Sequence, residues 1–247
     1  MATSASARAR SGRRARLPRG SLSQELIVEA AFRIADSSGM ESLTFQALGM
    51  ELSAHPTAIY RHFRNKDELL LAMIDALHEE ALAEMPPPTD DWAQDLMEIA
   101  VRTHDAFLRH PHVGALAAAR TARRENEFRS VERKLDCMRR AGLDDEDAAR
   151  YYRVFADLVL GYSAMDASLA ALRPEILAAD LRAWTTDYLS LPAEKYPNIA
   201  RVSPKFVAID DPQNFVLAVE AVIDSVRARA ELRPAKPTSS RQRRARR

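Results

Sequence analysis

The chain has 247 residues, 47% of them hydrophobic, and a formal net charge of +1. That length suffices for one or two domains with a sizeable core, while seven glycines and few β-branched runs point away from a sheet protein. No apolar run approaches the ~20 residues of a membrane span, and the single cysteine, Cys137, excludes an intramolecular disulfide or a cysteine-cluster zinc site.

Cys137 reads as a buried structural thiol in a reducing, cytoplasmic compartment. The small net charge hides a strong asymmetry. Of 36 basic residues, 13 lie in residues 1–20 and 233–247, which hold no acid; the middle keeps 23 against 35 acidic residues, a net of −12. An acidic body with basic ends argues against indiscriminate nucleic-acid binding over the whole surface, although the ends themselves suit a polyanion.

Residues 1–20 read as a disordered basic arm. No signal-peptide apolar core follows them, but their Arg-rich, Ser-rich, acid-free composition also fits a transit peptide. A helix starts at Ser21 or Ser23, carries Leu26, Ile27, Ala30, Ala31 and Ile34 as one apolar stripe, and stops at Gly39. Thr44 caps a second helix with Phe45, Leu48 and Leu52 inward. Ser53 to His55 form a tight break, and Pro56 is pre-set for the first position of a third helix reaching His62. A longer helix spans 66–84, and Pro86, Pro87 and Pro88 mark a linker. Further helices are expected near 90–109, 112–122, 125–140, 145–171, 174–190 and 213–231, with 191–212 an irregular loop and 232–247 a disordered basic tail. The organisation is therefore all-α: a helix-turn-helix head at 21–66 and a larger helical body at 67–231, linked by the helix 66–84.

Two short helices joined by about three residues have helix-turn-helix dimensions. A helix over 56–62 is roughly 10 Å long and enters a ~12 Å major groove end-on. With Ile59 and Phe63 turned to the core, a polar set is left outside. Thr44, Tyr60, His62 and Lys66 suit phosphate oxygens, which fix register; Gln46, His55, Pro56, Thr57 and Arg61 lie where base edges would be met. By spacing alone the bland reading, an ordinary helical hairpin with a core tyrosine, stays open. His55 and His62 are two helical turns apart, which suits no shared metal ion.

The stretch "IVEAAFRIADSSGMESLTFQALG" and its sequel "TAIYRHFRNKDELLLAMIDAL" resemble the tetracycline-repressor family of bacterial transcription regulators over residues 22–77. The hallmark is Tyr60, His62 and Phe63 followed by Lys66, Asp67 and Leu69. Gly49 stands where the family commonly has alanine, and Ser53 and Ala54 stand where it commonly has a glycine-valine turn. The resemblance implies an all-α homodimer with a DNA-binding head and a ligand-binding, dimerising body. A dimer offers two recognition helices about one DNA turn apart, so a palindromic double-stranded operator is expected, with a repressor released from it by a small effector that the aromatic and apolar body residues suggest is hydrophobic or aromatic.

Within the body, the helix 145–171 is apolar over a wide arc and should be covered on more than one side. Val154, Leu158, Gly161 and Met165, with Phe215, Val219, Val222, Ile223 and Val226 of the last helix, are expected to meet their two-fold mates in a four-helix interface; an ordinary intrachain core is the alternative. Pocket candidates are His104, Phe107, Leu116, Met138, Phe155, Tyr162, Asp166 and Trp184, the polar His104 and Asp166 standing out within apolar patterns. No nucleophile elbow, phosphate loop or His-Glu-x-x-His run supports an all-α enzyme, and no cofactor or metal is implied. A non-specific nucleoid-type DNA binder remains the rival to a regulator.

Overall fold

The computed structural model describes residues 22–206 and 211–232. Ser21, the basic arm, the tail beyond Leu232 and part of the 191–212 stretch lie outside the described residues. Every regular element among the described residues is helical, as expected. The chain divides into two compact units inside α4 (Lys66–Ala83), after Met73, rather than ahead of that helix.

In the first unit, α1 (Gln24–Ser38) is capped by Ser23, whose hydroxyl accepts from Leu26 N–H at 3.3 Å. It ends at Gly39, whose φ of 77° is open to glycine without strain. Thr44 caps α2 (Phe45–Glu51) by accepting from Ala47 N–H at 3.1 Å. The third helix is shorter than its sequence suggests: α3 is Pro56–Ile59, and Tyr60 to His62 form a turn. The amides of His62 and Phe63 both donate to Ile59 O, at 2.9 and 3.0 Å, so the ladder tightens and closes there. Asn65 starts α4 by accepting from Glu68 N–H, and Glu68 reaches back to Arg64 N–H, both at 2.8 Å; this reciprocal pair went unnoticed in the sequence. Ile27, Leu48, Ile59, Phe63, Leu69 and Met73 are sealed inside. They are the residues that the helical periodicity turned inward.

The second unit contains α5 (Trp92–Arg109), α6 (Pro111–Ala117), α7 (Glu125–Arg140), α8 (Asp145–Ala170), α9 (Pro174–Arg182), α10 (Pro197–Val202) and α11 (Pro212–Glu231). α8 is the hub, packed on α5, α6, α7 and α11. Gly114 makes the α6 contact possible: a Cβ there would stand 2.7 Å from Phe107 O and 3.1 Å from Ala167 Cβ. Two buried carboxylates anchor ion pairs that tie the helices together. Arg140 reaches Asp95 at 2.6 Å, and Arg229 reaches Asp147 at 2.8 Å, joining α11 to α8. Cys137 is 2% exposed, and burial pushes its thiol up to about 11, the inert state expected of it.

Three expected elements differ. The helix forecast for 112–122 ends at Ala117 as α6. The helix forecast for 174–190 breaks after Arg182 into a wider turn at Ala183–Asp187 and a 3₁₀ turn at Tyr188–Ser190; α9 buries none of its residues, so no core contact holds a longer helix straight. The stretch forecast as an irregular loop carries α10 and a 3₁₀ turn at Ser203–Lys205. Pro197 starts α10 at its first position, where its missing N–H costs nothing. No single described helix is long and apolar enough to cross a membrane; α8 and α9 pass that test only as a pair bent by 112°.

Candidate nucleic-acid interface and body sites

The turn between α2 and α3 is closed by backbone contact. Ala54 N–H donates to Gly49 O at 2.9 Å. A Cβ on Gly49 would lie 2.8 Å from Ala54 O and 3.3 Å from Pro56 Cδ, so only glycine lets the two helices meet this closely. Ser53 takes the left-handed conformation, φ 50°, at a position where a glycine would rest without cost.

The polar set of the head is where the sequence put it. Thr44, Gln46, His55, Thr57, Arg61 and Lys66 are exposed, and Pro56 and His62 are half-buried. Tyr60 is 57% exposed, which excludes the core-tyrosine reading. Its ring is propped edge-on by Phe45, with centroids 4.6 Å apart, a role beyond the inward packing that the spacing of Phe45 predicts. His55 caps α3: its Nδ1 accepts from Thr57 N–H at 3.3 Å and pairs with Thr57 Oγ1 at 2.7 Å. An Nδ1 that accepts leaves the ring proton on Nε2, as an outward donor. Lys66 Nζ donates to Met40 O and Gln24 Nε2 to His62 O at 3.2 Å, so α1 and the turn that follows it position the segment from behind. Together these contacts hold a one-turn helix, about 6 Å long, on two buried anchors with its polar tips outward.

In the body, His104 and Asp166, far apart in sequence, are joined at 2.9 Å. His104 stacks on Phe215 at 4.3 Å, and Tyr162 meets the same ring edge-on at 5.4 Å. The Asp166 Oδ1 is buried with no hydrogen-bond partner among the described residues, and burial, followed by the charge of Asp166, raises the Tyr162 phenol. The remaining pocket candidates do not join this group as a lining. Phe107, Met138 and Phe155 are 0–1% exposed, inside the packed core, and Leu116 is 45% exposed. Trp184 belongs to an aromatic cluster with Phe206 and Tyr188, at 5.1 and 4.9 Å. A cavity of about 300 Å³ opens elsewhere, between α7 and α8 and the segment before α7, lined by Phe128, Val131, Tyr152 and Leu160 among others. The sequence reading passed over this cavity, as it did the buried His78 and Lys134.

The proposed interface splits in two. Val154 and Met165 are each 49% exposed, and nothing lies within 4 Å of a Cβ built on Gly161, so that face of α8 is open. Phe215, Val219, Ile223 and Val226 are instead 0–6% exposed, packed in this subunit's own core. The correction has a simple cause: α11 turns its strongest apolar stripe toward its own subunit. Leu217, 67% exposed, with the exposed Ala221, Ser225 and Ala228, forms the outward face; Val222 lies between the two.

A two-helix turn carrying an exposed polar probe, in a three-helix head, together with an all-α body, defines the class: a helix-turn-helix protein. Residues 27–73 match the family described as bacterial regulatory proteins, tetR family, and residues 85–230 match the tetracyclin repressor-like C-terminal domain. The chain belongs to the tetR family. It is 32% identical to the HTH-type transcriptional repressor Rv1353c of Mycobacterium tuberculosis over 160 residues, covering 63% of this chain and 61% of that protein. It is 30% identical to tetracycline repressor protein class E of Escherichia coli over 141 residues, 57% of this chain and 66% of that one. The chain thus spans under two thirds of either relative. Among solved structures, ActR of Streptomyces coelicolor in complex with actinorhodin superposes with a TM-score of 0.72 at 28% identity, over 85% of this chain and 98% of that one.

Proposed function

We propose that the protein is a dimeric, ligand-responsive DNA-binding repressor. The observation that carries this reading is the exposed polar tip of α3 and its following turn, standing on the sealed Ile59 and Phe63. Tyr60, His62, Thr44 and Lys66 take phosphate oxygens; His55, Thr57, Arg61 and Gln46 meet base edges in the major groove. A two-fold dimer sets two such probes one helical turn of DNA apart, so the operator is a palindrome. The open faces of α8 and α11 form the dimer contact. An effector that fits the body better in the state with lower DNA affinity releases the operator, with a coupling of ~1–3 kcal/mol. The ActR complex with actinorhodin is the precedent for a ligand-bound relative.

The test is a salt titration of binding to a palindromic operator, selected from random duplexes, against scrambled DNA of equal length. A regulator prefers the palindrome by at least ~10³-fold at physiological salt. Equal affinity for both at every salt concentration overturns the reading in favour of a nucleoid-type binder.

A further inference from the structure

Among the described residues, two basic side chains lie inside the body without an acid to pair with. Lys134, on α7, is 3% exposed, and its ammonium donates to one group, Ser130 Oγ, a helical turn back. His78, on α4, is 5% exposed, and its Nδ1 is buried with no hydrogen bond. They are close enough that the charge of Lys134 adds to burial in disfavouring protonation of His78. A buried ammonium ordinarily sits against a carboxylate, because losing its hydration is costly. Among the described residues the nearby acids are engaged elsewhere. Asp75 accepts from Asn126 Nδ2 at 3.0 Å and Glu127 N–H at 2.9 Å, which pins α4 to the start of α7. Glu127 in turn accepts from Ala122 and Arg123 N–H at 3.2 and 2.7 Å. Its charge favours the ammonium from two turns away but does not offset burial.

We propose that Lys134, with Ser130 and His78, receives the carboxylate of an acidic, otherwise apolar effector. This deepens the regulator reading and rests on it. A carboxylate brings two acceptor oxygens and one negative charge; the site offers an ammonium, a hydroxyl and an imidazole that lacks a partner. The surroundings suit an apolar remainder. Cys137 and Met138, one turn beyond Lys134, are sealed in the core. The cavity of about 300 Å³ reaches Val131, about 4.5 Å before Lys134 along the helix axis, and that volume is at the lower end for an organic ligand.

The test uses the full-length protein and a panel of monocarboxylic acids, from benzoate to anthraquinone-2-carboxylate, each beside its methyl ester, titrated by calorimetry. At least one acid binds ten-fold or more tightly than its ester, and Lys134→Met abolishes that preference. His78→Leu, a second variant, reduces it several-fold. The proposal is overturned if no acid is preferred by the wild type, or if the preference survives in Lys134→Met. Operator binding of the unliganded wild type is measured alongside. Its absence overturns the regulator reading itself, whereas an operator-binding protein indifferent to acids overturns only the carboxylate site.

Discussion

Replacing Lys134 by methionine should stabilise the unliganded protein. Burial lowers the Lys134 ammonium from 10.5 to about 8. At about 1.4 kcal/mol per pH unit, keeping it charged in the folded state at pH 7 costs about 3 kcal/mol. Methionine has a similar length and no charge to desolvate. Losing the hydrogen bond to Ser130 takes back about 1 kcal/mol, leaving a net gain of about 2 kcal/mol. The pH dependence supplies a second signature. Below pH 8 both folded and unfolded states carry the charge, and the full cost is present. Between pH 8 and 10.5 the folded state releases its proton while the unfolded state keeps it, so wild-type stability rises relative to the variant. Urea unfolding at pH 7 and at pH 9.5, at one fixed protomer concentration because the proposed self-association would itself add to stability, should therefore show a gap of about 2 kcal/mol closing to near zero. A variant less stable than wild type at pH 7, or a gap unchanged at pH 9.5, would refute the argument that Lys134 is an uncompensated charge.

Four further outcomes are expected. His78 is held down to about 3 by burial and then by Lys134, so the protein loses up to about 2 kcal/mol as pH falls from 6.5 to 5, and His78→Leu should flatten that slope in chemical denaturation. Tyr60→Phe keeps the ring on Phe45 and removes the hydroxyl; operator affinity should fall about five-fold, the worth of one hydrogen bond, as read by fluorescence anisotropy. Ser53→Gly relieves a left-handed residue worth ~1–2 kcal/mol against a glycine entropy cost of ~0.5–1 kcal/mol, so the thermal midpoint should rise modestly. The double variant Val154→Glu, Leu217→Glu puts like charges on both open faces and should halve the mass found by sedimentation; an unchanged mass would place the dimer contact elsewhere.

The head was legible because its signals are local. Caps, the Pro56 helix start, the inward stripe and the outward polar set each depend on spacing within a few residues, and each recurs in the structure. What failed was the length of α3, which depends on how Ile59 O is shared between two amides, a detail with no sequence marker. In the body, periodicity found the apolar stripe of α11 correctly but not which neighbour it faces. Phe215 and Val219 look the same in sequence whether they meet a partner subunit or α5 and α8. The His104–Asp166 pair was singled out because each residue is polar within an apolar pattern, and that signal survived. Lys134 escaped notice because α7 is rich in charge along its whole length, so one more lysine carried no anomaly until its burial was known.

The two departures from the family pattern in the head are one feature. In sequence, Gly49 reads as a loosened helix and Ser53 as a turn residue lacking glycine's freedom, two separate weaknesses. In the structure the carbonyl oxygen of Ala54 stands only 2.8 Å from where a Gly49 Cβ would be, while Ala54 N–H bonds Gly49 O. The missing methyl on α2 makes room for the path that the backbone takes after the left-handed Ser53. Gly49→Ala alone should then force the turn away from α2 and lower both stability and operator affinity, because the displaced backbone leads directly into Pro56 and the probe. Joined to Ser53→Gly, which lets the turn choose another path, the same alanine should cost less than the sum of the single effects. Strict additivity of the two substitutions in urea unfolding would show that the turn and the helix are independent after all, and that Gly49 is merely tolerated.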